Sequence, residues 1–168
     1  TNNSSRTPRQ YVDKLAGMSI ETTPDHVLNS AEAAAQYVED EAPDACVYAI
    51  GGPGVRHALE AHGLHVTQAD DVCEADYVVV GWDRGLTWRK LAVATRLIHR
   101  GATFVGTNPD RTFPMESALA PGNGAQLAAL EAATHVEPVI AGKPEAPLYR
   151  QAMARMGTEP ERTLMIGD

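Results

Sequence analysis

Short apolar strands alternating with amphipathic helices mark this 168-residue chain as an α/β protein. Two observations carry that reading. Apolar, β-rich runs at 45–50, 77–80 and 103–105 are separated by stretches with helical periodicity. Each run also empties into a turn that begins with glycine or reaches one within a residue: Gly51-Gly52-Pro53-Gly54, Gly81-Trp82-Asp83 and Gly106-Thr107-Asn108.

Taken in order, 8–18 reads as a helix. Thr7 is a natural N-cap, Pro8 suits the first helical position, and Gln10 completes a capping box. Apolar Tyr11, Val12, Leu15 and Met18 recur at helical spacing. A second helix covers about 31–42, capped by Asn29 or Ser30 and stopped by Pro43. The strand at 45–50 leads into a short helix ending at Gly63. After the strand at 77–80, Thr87 caps a longer helix with the stripe Leu91, Ala94, Leu97 and Ile98, and Gly101 ends it. The strand at 103–105 follows. The segment 111–124, rich in Pro and Gly, reads as a loop, and loops at strand ends carry specificity. A helix at about 124–134, a strand at 138–141, a Gly142-Lys143-Pro144 turn, a helix at 146–156 and a strand at 163–166 complete the pattern.

Net charge is −8 and the isoelectric point is near 5.2. That argues against non-specific nucleic-acid binding, which needs a basic face. No apolar run approaches the length of a membrane span, so no membrane partner and a cytoplasmic location are expected. Cys46 and Cys73 form no Cys-x-x-Cys pattern and are expected to be small buried hydrophobes. His57, His62 and His65 lack zinc-helix spacing and read as solvated side chains around a helix end. Trp82 and Trp88 read as core residues or as a dimer contact.

Three places can bear chemistry. Thr1-Asn2-Asn3 offers a hydroxyl and two amides in succession, neutral donors that can hold a phosphoryl group. Lys143 follows an apolar strand and can neutralise a phosphate or a carboxylate nucleophile. Asp168 sits beyond an apolar run, where α/β sheets place ligands and where a hard cation finds oxygen donors. Each residue alone also fits a plain turn or solvated side chain.

In order and spacing, these stretches resemble the haloacid dehalogenase (HAD) superfamily. The resembling segments are 1–8, 78–83, 101–114, 121–124, 142–144 and 163–168. They are most similar to the branch of phosphoglycolate, p-nitrophenyl, pyridoxal phosphate and nucleotide or sugar phosphatases. The resemblance implies a partial Rossmann-like core, three-layer α/β/α, carrying an inserted α/β cap. Residues 1–43 and 138–168 would be core and 44–137 cap. It implies that Thr1 binds the transferring phosphoryl group beside Asn2 and Asn3, that Lys143 is the catalytic lysine, and that Asp168 is a ligand of Mg2+. Asn108, Asp110 and Phe113 would lie where the cap closes over a small phosphorylated metabolite, and the cap could mediate a homodimer.

The departures from the family pattern matter as much. The family's first motif, Asp-x-Asp-Gly, supplies the nucleophile and is expected before Thr1. No Asp-x-Asp occurs in the 168 residues. The chain is therefore expected to be the middle of a larger Mg-dependent phosphatase acting through an aspartyl-phosphate, and inactive by itself. The competing expectation is a non-catalytic module for dimerisation or ligand binding. Phosphoryl transfer to an acceptor other than water is a third.

Overall fold

A computed structural model describes residues 1–167. The first helix, α1 (Pro8–Ala16), opens on the expected capping box. The Gln10 amide donates to Thr7 Oγ1 at 3.3 Å, and the Thr7 amide donates to Gln10 Oε1 at 2.9 Å. In α2 (Ser30–Glu41) the Asn29 carboxamide oxygen accepts from the amides of Ala31 and Glu32 at 2.9 and 3.1 Å. Both caps satisfy helix amides that have no carbonyl partner of their own.

Strands and helices then alternate: β1 (Cys46–Ile50), α3 (Pro53–Ala61), β2 (His65–Thr67), β3 (Tyr77–Val80), α4 (Trp88–His99) and β4 (Thr103–Gly106). A hairpin follows, of β5 (Thr112–Pro114) and β6 (Leu119–Pro121), then α5 (Asn123–Thr134), β7 (Val139–Ile140) and α6 (Ala146–Met156). The five longer-range strands form one parallel sheet in the order β2-β1-β3-β4-β7.

Both faces of this sheet are covered, giving three layers. Val47, Ala49, Val79 and Val105 lie in one apolar cluster with Ala34 and Val38 of α2, Leu59 of α3 and Leu148 of α6. Tyr48, Ile50, Val78, Val80 and Phe104 lie in the other with Leu97 of α4 and Leu127 and Leu130 of α5. The alternation along each strand is why these runs are continuously apolar. Each fully buried Val, Leu, Ile or Phe among them contributes about 1.5–3 kcal/mol.

Register fixes where the strands end. Ile50 pairs with Val80, Val80 with Gly106, and Gly106 with Ile140. The carboxyl ends of β1, β3, β4 and β7 therefore form a single row. Every turn that leaves them emerges at one edge of the sheet.

Four expectations need correction. The segment 111–124 is not a bare loop but holds the β5–β6 hairpin, in which Phe113 pairs with Ala120. The strand β2 was not foreseen, because three residues beginning with His carry too little apolar signal. The strand expected at 163–166 does not form: it has no ladder partner among the described residues, and Leu164 and Ile166 are 82% and 83% exposed. Apolar composition alone cannot make a strand without a neighbour. Cys46 and Cys73 are free and exposed rather than buried. As for the 44–137 segment, it supplies four strands of the parallel sheet, and β7 from 138–168 is hydrogen-bonded into that same sheet beside β4.

His62, at the C-terminus of α3, is not solvated either. Its Nδ1 lies 2.6 Å from Glu39 Oε2 and its Nε2 lies 3.8 Å from Glu32 Oε2, while Arg155 Nη2 approaches Glu32 at 3.9 Å. The cluster ties α2 to α3 and α6. The Glu32 side chain is 13% exposed against 41% for Glu39, so the longer contact is the less screened one. Glu32 foremost, then Glu39, raises the His62 pKa above its ordinary 6.5, and His62 in turn lowers that of Glu32 below 4.5.

Both shifts favour the charged pair in the folded state. The His62 contribution is complete below pH 6.5 and is lost as pH rises through the higher folded value. The Glu32 contribution is present above 4.5 and is lost as pH falls through its lowered folded value. Calorimetry across pH should show greatest stability between those limits. His62→Gln should lower that plateau by about 1–2 kcal/mol and flatten the alkaline limb.

Candidate active site

The row of strand ends opens onto a cavity of about 660 Å³. Trp82 reaches it from the end of β3, Asn108 and Asp110 from the end of β4, and Lys143 from the end of β7. The N-terminal segment crosses the same edge and adds Thr1, Asn2 and Asn3. Ligands in parallel α/β sheets occupy this position. Residues separated by more than a hundred positions in sequence thus line one wall.

Asn2 makes the junction. Its Oδ1 accepts from the Lys143 amide at 2.8 Å, and its Nδ2 donates to the Lys143 carbonyl at 3.0 Å. The same Nδ2 also lies 3.2 and 3.3 Å from the two carboxylate oxygens of Asp110. The Asn2 carbonyl accepts from Ser30 Oγ at 2.5 Å and from Asn108 Nδ2 at 2.7 Å. Close approach is possible because Gly142 has no side chain. A Cβ there would sit 2.3 Å from the Thr107 carbonyl oxygen and 2.9 Å from Asn2 Oδ1. The Lys143–Pro144 bond is cis.

The rest of the N-terminal segment is held as firmly. The Asn3 carboxamide oxygen accepts from Ser5 N–H at 3.0 Å and from Ser5 Oγ at 2.7 Å, which leaves the Asn3 NH2 group as its donor. Thr1 Oγ1 accepts from the Asn3 amide at 3.3 Å. Ser4 is fully buried, and its Oγ accepts from Thr107 Oγ1 at 3.1 Å. The wall therefore presents a hydroxyl, carboxamide N–H donors and the Lys143 cation, a set suited to a phosphoryl oxygen cluster.

Of the other residues named from sequence, Asn108 is buried and committed. It bonds the Asn2 carbonyl, and its Oδ1 accepts from the Asp110 amide at 3.2 Å. Asp110 stands exposed at the cavity with its carboxylate on Asn2. Phe113 comes from the hairpin and stacks on Trp82, with ring centroids 4.2 Å apart and planes at 23°. Asp168 lies outside the described residues.

Sequence reasoning missed Trp82 as a residue of this site: it is half-buried rather than plain core and lines the cavity. Its Nε1 donates to the Pro121 carbonyl at 3.0 Å and so ties the hairpin to the sheet edge. Its position two residues past a strand was the available signal. Asn123 was also missed as a brace. Its Nδ2 donates to the carbonyls of Val80 at 3.1 Å and Asn108 at 2.9 Å, bridging the ends of β3 and β4.

Magnesium fits the described residues poorly by themselves. Among them no group of three or more His, Cys, Asp or Glu side chains converges, and the cavity's carboxylate, Asp110, already accepts from Asn2. Among the described residues, no helix is long and apolar enough to cross a membrane.

Comparison with known proteins bears on the family and the fold. The family model described as haloacid dehalogenase-like hydrolase matches residues 1–65, and a second, HAD-hydrolase-like model matches 140–168. The 5'-nucleotidase YutF of Bacillus subtilis is 45% identical over all 168 residues, which span 64% of its length. Among solved structures, a double mutant of the thermostable NPPase from Geobacillus stearothermophilus superposes with a TM-score of 0.93 at 41% identity, over 99% of this chain and 66% of that one. The glycerol phosphate phosphatase Rv1692 of Mycobacterium tuberculosis, in complex with magnesium, gives 0.88 at 36% identity, over 94% and 48%. The chain belongs to the haloacid dehalogenase-like hydrolase family. It spans just under two thirds of the length of the curated relatives it matches.

The junction is testable in this chain. Asn2→Ala removes the reciprocal pair to Lys143 and the contact to Asp110 while keeping the main-chain bonds. Stability should fall by about 1–3 kcal/mol. Hydrogen exchange of the Lys143 amide should accelerate more than that of the amides in β1 and β3.

Proposed function

We propose that this chain forms the phosphate-binding part of a magnesium-dependent phosphatase acting on a small phosphomonoester. The carrying observation is the reciprocal pair of bonds, 2.8 and 3.0 Å, that locks Asn2 to the main chain of Lys143. Through it Asn2 acts as a brace, and Thr1, Asn3 and Lys143 line the same cavity.

In this reading the Thr1 hydroxyl and the Asn3 NH2 group donate to the oxygens of the phosphoryl group. Lys143 offsets the charge that builds as the ester bond breaks. No Asp-x-Asp pair exists among the 168 residues, so the attacking carboxylate comes from outside them. Attack on phosphorus expels the alcohol and leaves an aspartyl-phosphate, and water then releases inorganic phosphate. Asp168, with carboxylates from outside the 168 residues, would be the residue to hold magnesium, which would supply charge neutralisation at the phosphate.

The relatives' names span a nucleotidase, an NPPase and a glycerol phosphate phosphatase, so leaving groups vary widely within the family. In this chain the leaving group faces the hairpin side of the cavity, where Phe113 lies on Trp82.

The test joins the chain to the remaining third of its relatives' length and follows p-nitrophenol release from p-nitrophenyl phosphate. Release should need magnesium and stop with chelator. Lys143→Ala should lower kcat by about a hundredfold or more. No release by the parent protein, or undiminished release by Lys143→Ala, would overturn the reading.

A further inference from the structure

The cavity does not end at the aromatic pair. A second hollow of about 780 Å³ lies beyond it, and Asn3, Trp82, Phe113 and Pro114 line both. The two hollows are therefore chambers of one cleft with the stacked rings between them.

Two arginines enter the far chamber. Arg6 reaches it from the segment that follows Thr1-Asn2-Asn3, and Arg84 from the turn between β3 and α4. Among the described residues neither guanidinium has a carboxylate within 4.0 Å, although the protein as a whole carries a net charge of −8. Two carboxylates share the chamber. Asp83 is buried and already neutralised, with its Oδ2 on Lys90 Nζ at 2.6 Å and its Oδ1 accepting from the Gly85 amide at 2.7 Å. Glu116 stands at the hairpin tip and is exposed.

Arg84 also has a fixed base. The residue before it exchanges main-chain bonds with the Gln126 side chain, whose Nε2 donates to the Asp83 carbonyl at 3.0 Å and whose Oε1 accepts from the Asp83 amide at 3.3 Å. The residue after it is bound to the Asp83 carboxylate. A guanidinium on a pinned turn loses less freedom when it pairs with an anion than one on a mobile loop. The N-terminal end of α3, at Gly52 and Pro53, lines the same chamber and adds partial charge of the same sign.

We propose that the far chamber is a second anion site, formed by Arg84 with Arg6. It would select phosphomonoesters whose leaving group carries a further anionic group, a carboxylate or a second phosphate. The phosphoryl group lies at Lys143, the body of the leaving group passes the Trp82–Phe113 rings, and its distal anion meets Arg84. This rests on the phosphatase reading above.

The experiment compares substrates that differ in distal charge. One pair is p-nitrophenyl phosphate and 4-carboxyphenyl phosphate, where nitro and carboxylate are planar and of similar size. The other is adenosine 5'-monophosphate and adenosine 3',5'-bisphosphate. Assays use the protein carrying this chain at its relatives' full length and measure inorganic phosphate. The readout is the kcat/KM ratio of the charged to the uncharged member, taken within each variant. Arg84→Ala should lower that ratio about fivefold or more for at least one pair, and Arg84→Lys should restore part of it. The pair that responds tells a carboxylate site from a phosphate site. Ratios unchanged within twofold for both pairs, in Arg84→Ala and in Arg6→Ala alike, would overturn the proposal. Absence of any p-nitrophenyl phosphate turnover by the parent protein would instead overturn the phosphatase reading.

Discussion

The geometry at the sheet edge depends on one carboxamide. Asn2 uses Oδ1, Nδ2 and its own carbonyl to join three pieces of chain: Lys143, the turn carrying Asn108 and Asp110, and Ser30. No other side chain type does this job at the same size. Aspartate would bring a charge beside Asp110 and lose the donor to the Lys143 carbonyl. Leucine would leave main-chain groups of a half-buried turn unpaired, which costs about 1–3 kcal/mol for each. Gly142 is the complementary requirement, since the turn must come close enough to be held.

The parallel sheet supplies the platform. Because Ile50, Val80, Gly106 and Ile140 are register partners, their following residues are delivered side by side. Burial on both faces holds that register, since a one-residue slip would move Val47 and Ala49 into the cluster of Tyr48 and Ile50. Packing deep in the sheet thus sets the spacing between Trp82, Asn108 and Lys143 at its rim. Asn123 reinforces the same spacing from α5 by bridging two neighbouring strand ends.

Much of this was legible in the sequence where a signal is local. The Thr7–Gln10 capping box, the Thr87 cap and the strands at Tyr77–Val80 and 103–105 follow from short-range chemistry. So does the placing of Lys143 just past a strand. The rest depends on partners distant in sequence. His62 looks like a surface residue until α2 brings Glu32 and Glu39 to it. The hairpin is hard to read because its three-residue strands, each ending on proline, carry almost no periodicity. The run at 163–166 shows the converse, since its apolar residues promised a strand that needs a neighbour to exist. Trp82 read as core or as a dimer contact, with only its place two residues past a strand to suggest a site. Its bond to Pro121 and its stack on Phe113 give it a place at the cleft.

The two tryptophans have a practical consequence. Trp88 is 82% exposed on α4, whereas Trp82 is partly buried, stacked and hydrogen-bonded at the cleft. An indole in water emits at longer wavelength than one packed against a ring. The chain therefore carries its own optical reporter, in which Trp88 supplies a constant red background and Trp82 a blue component sensitive to the hairpin. Lifting of β5–β6 from the sheet edge would break the stack and the Pro121 bond together, so a change in the blue component would mark the opening of the cleft without any attached label.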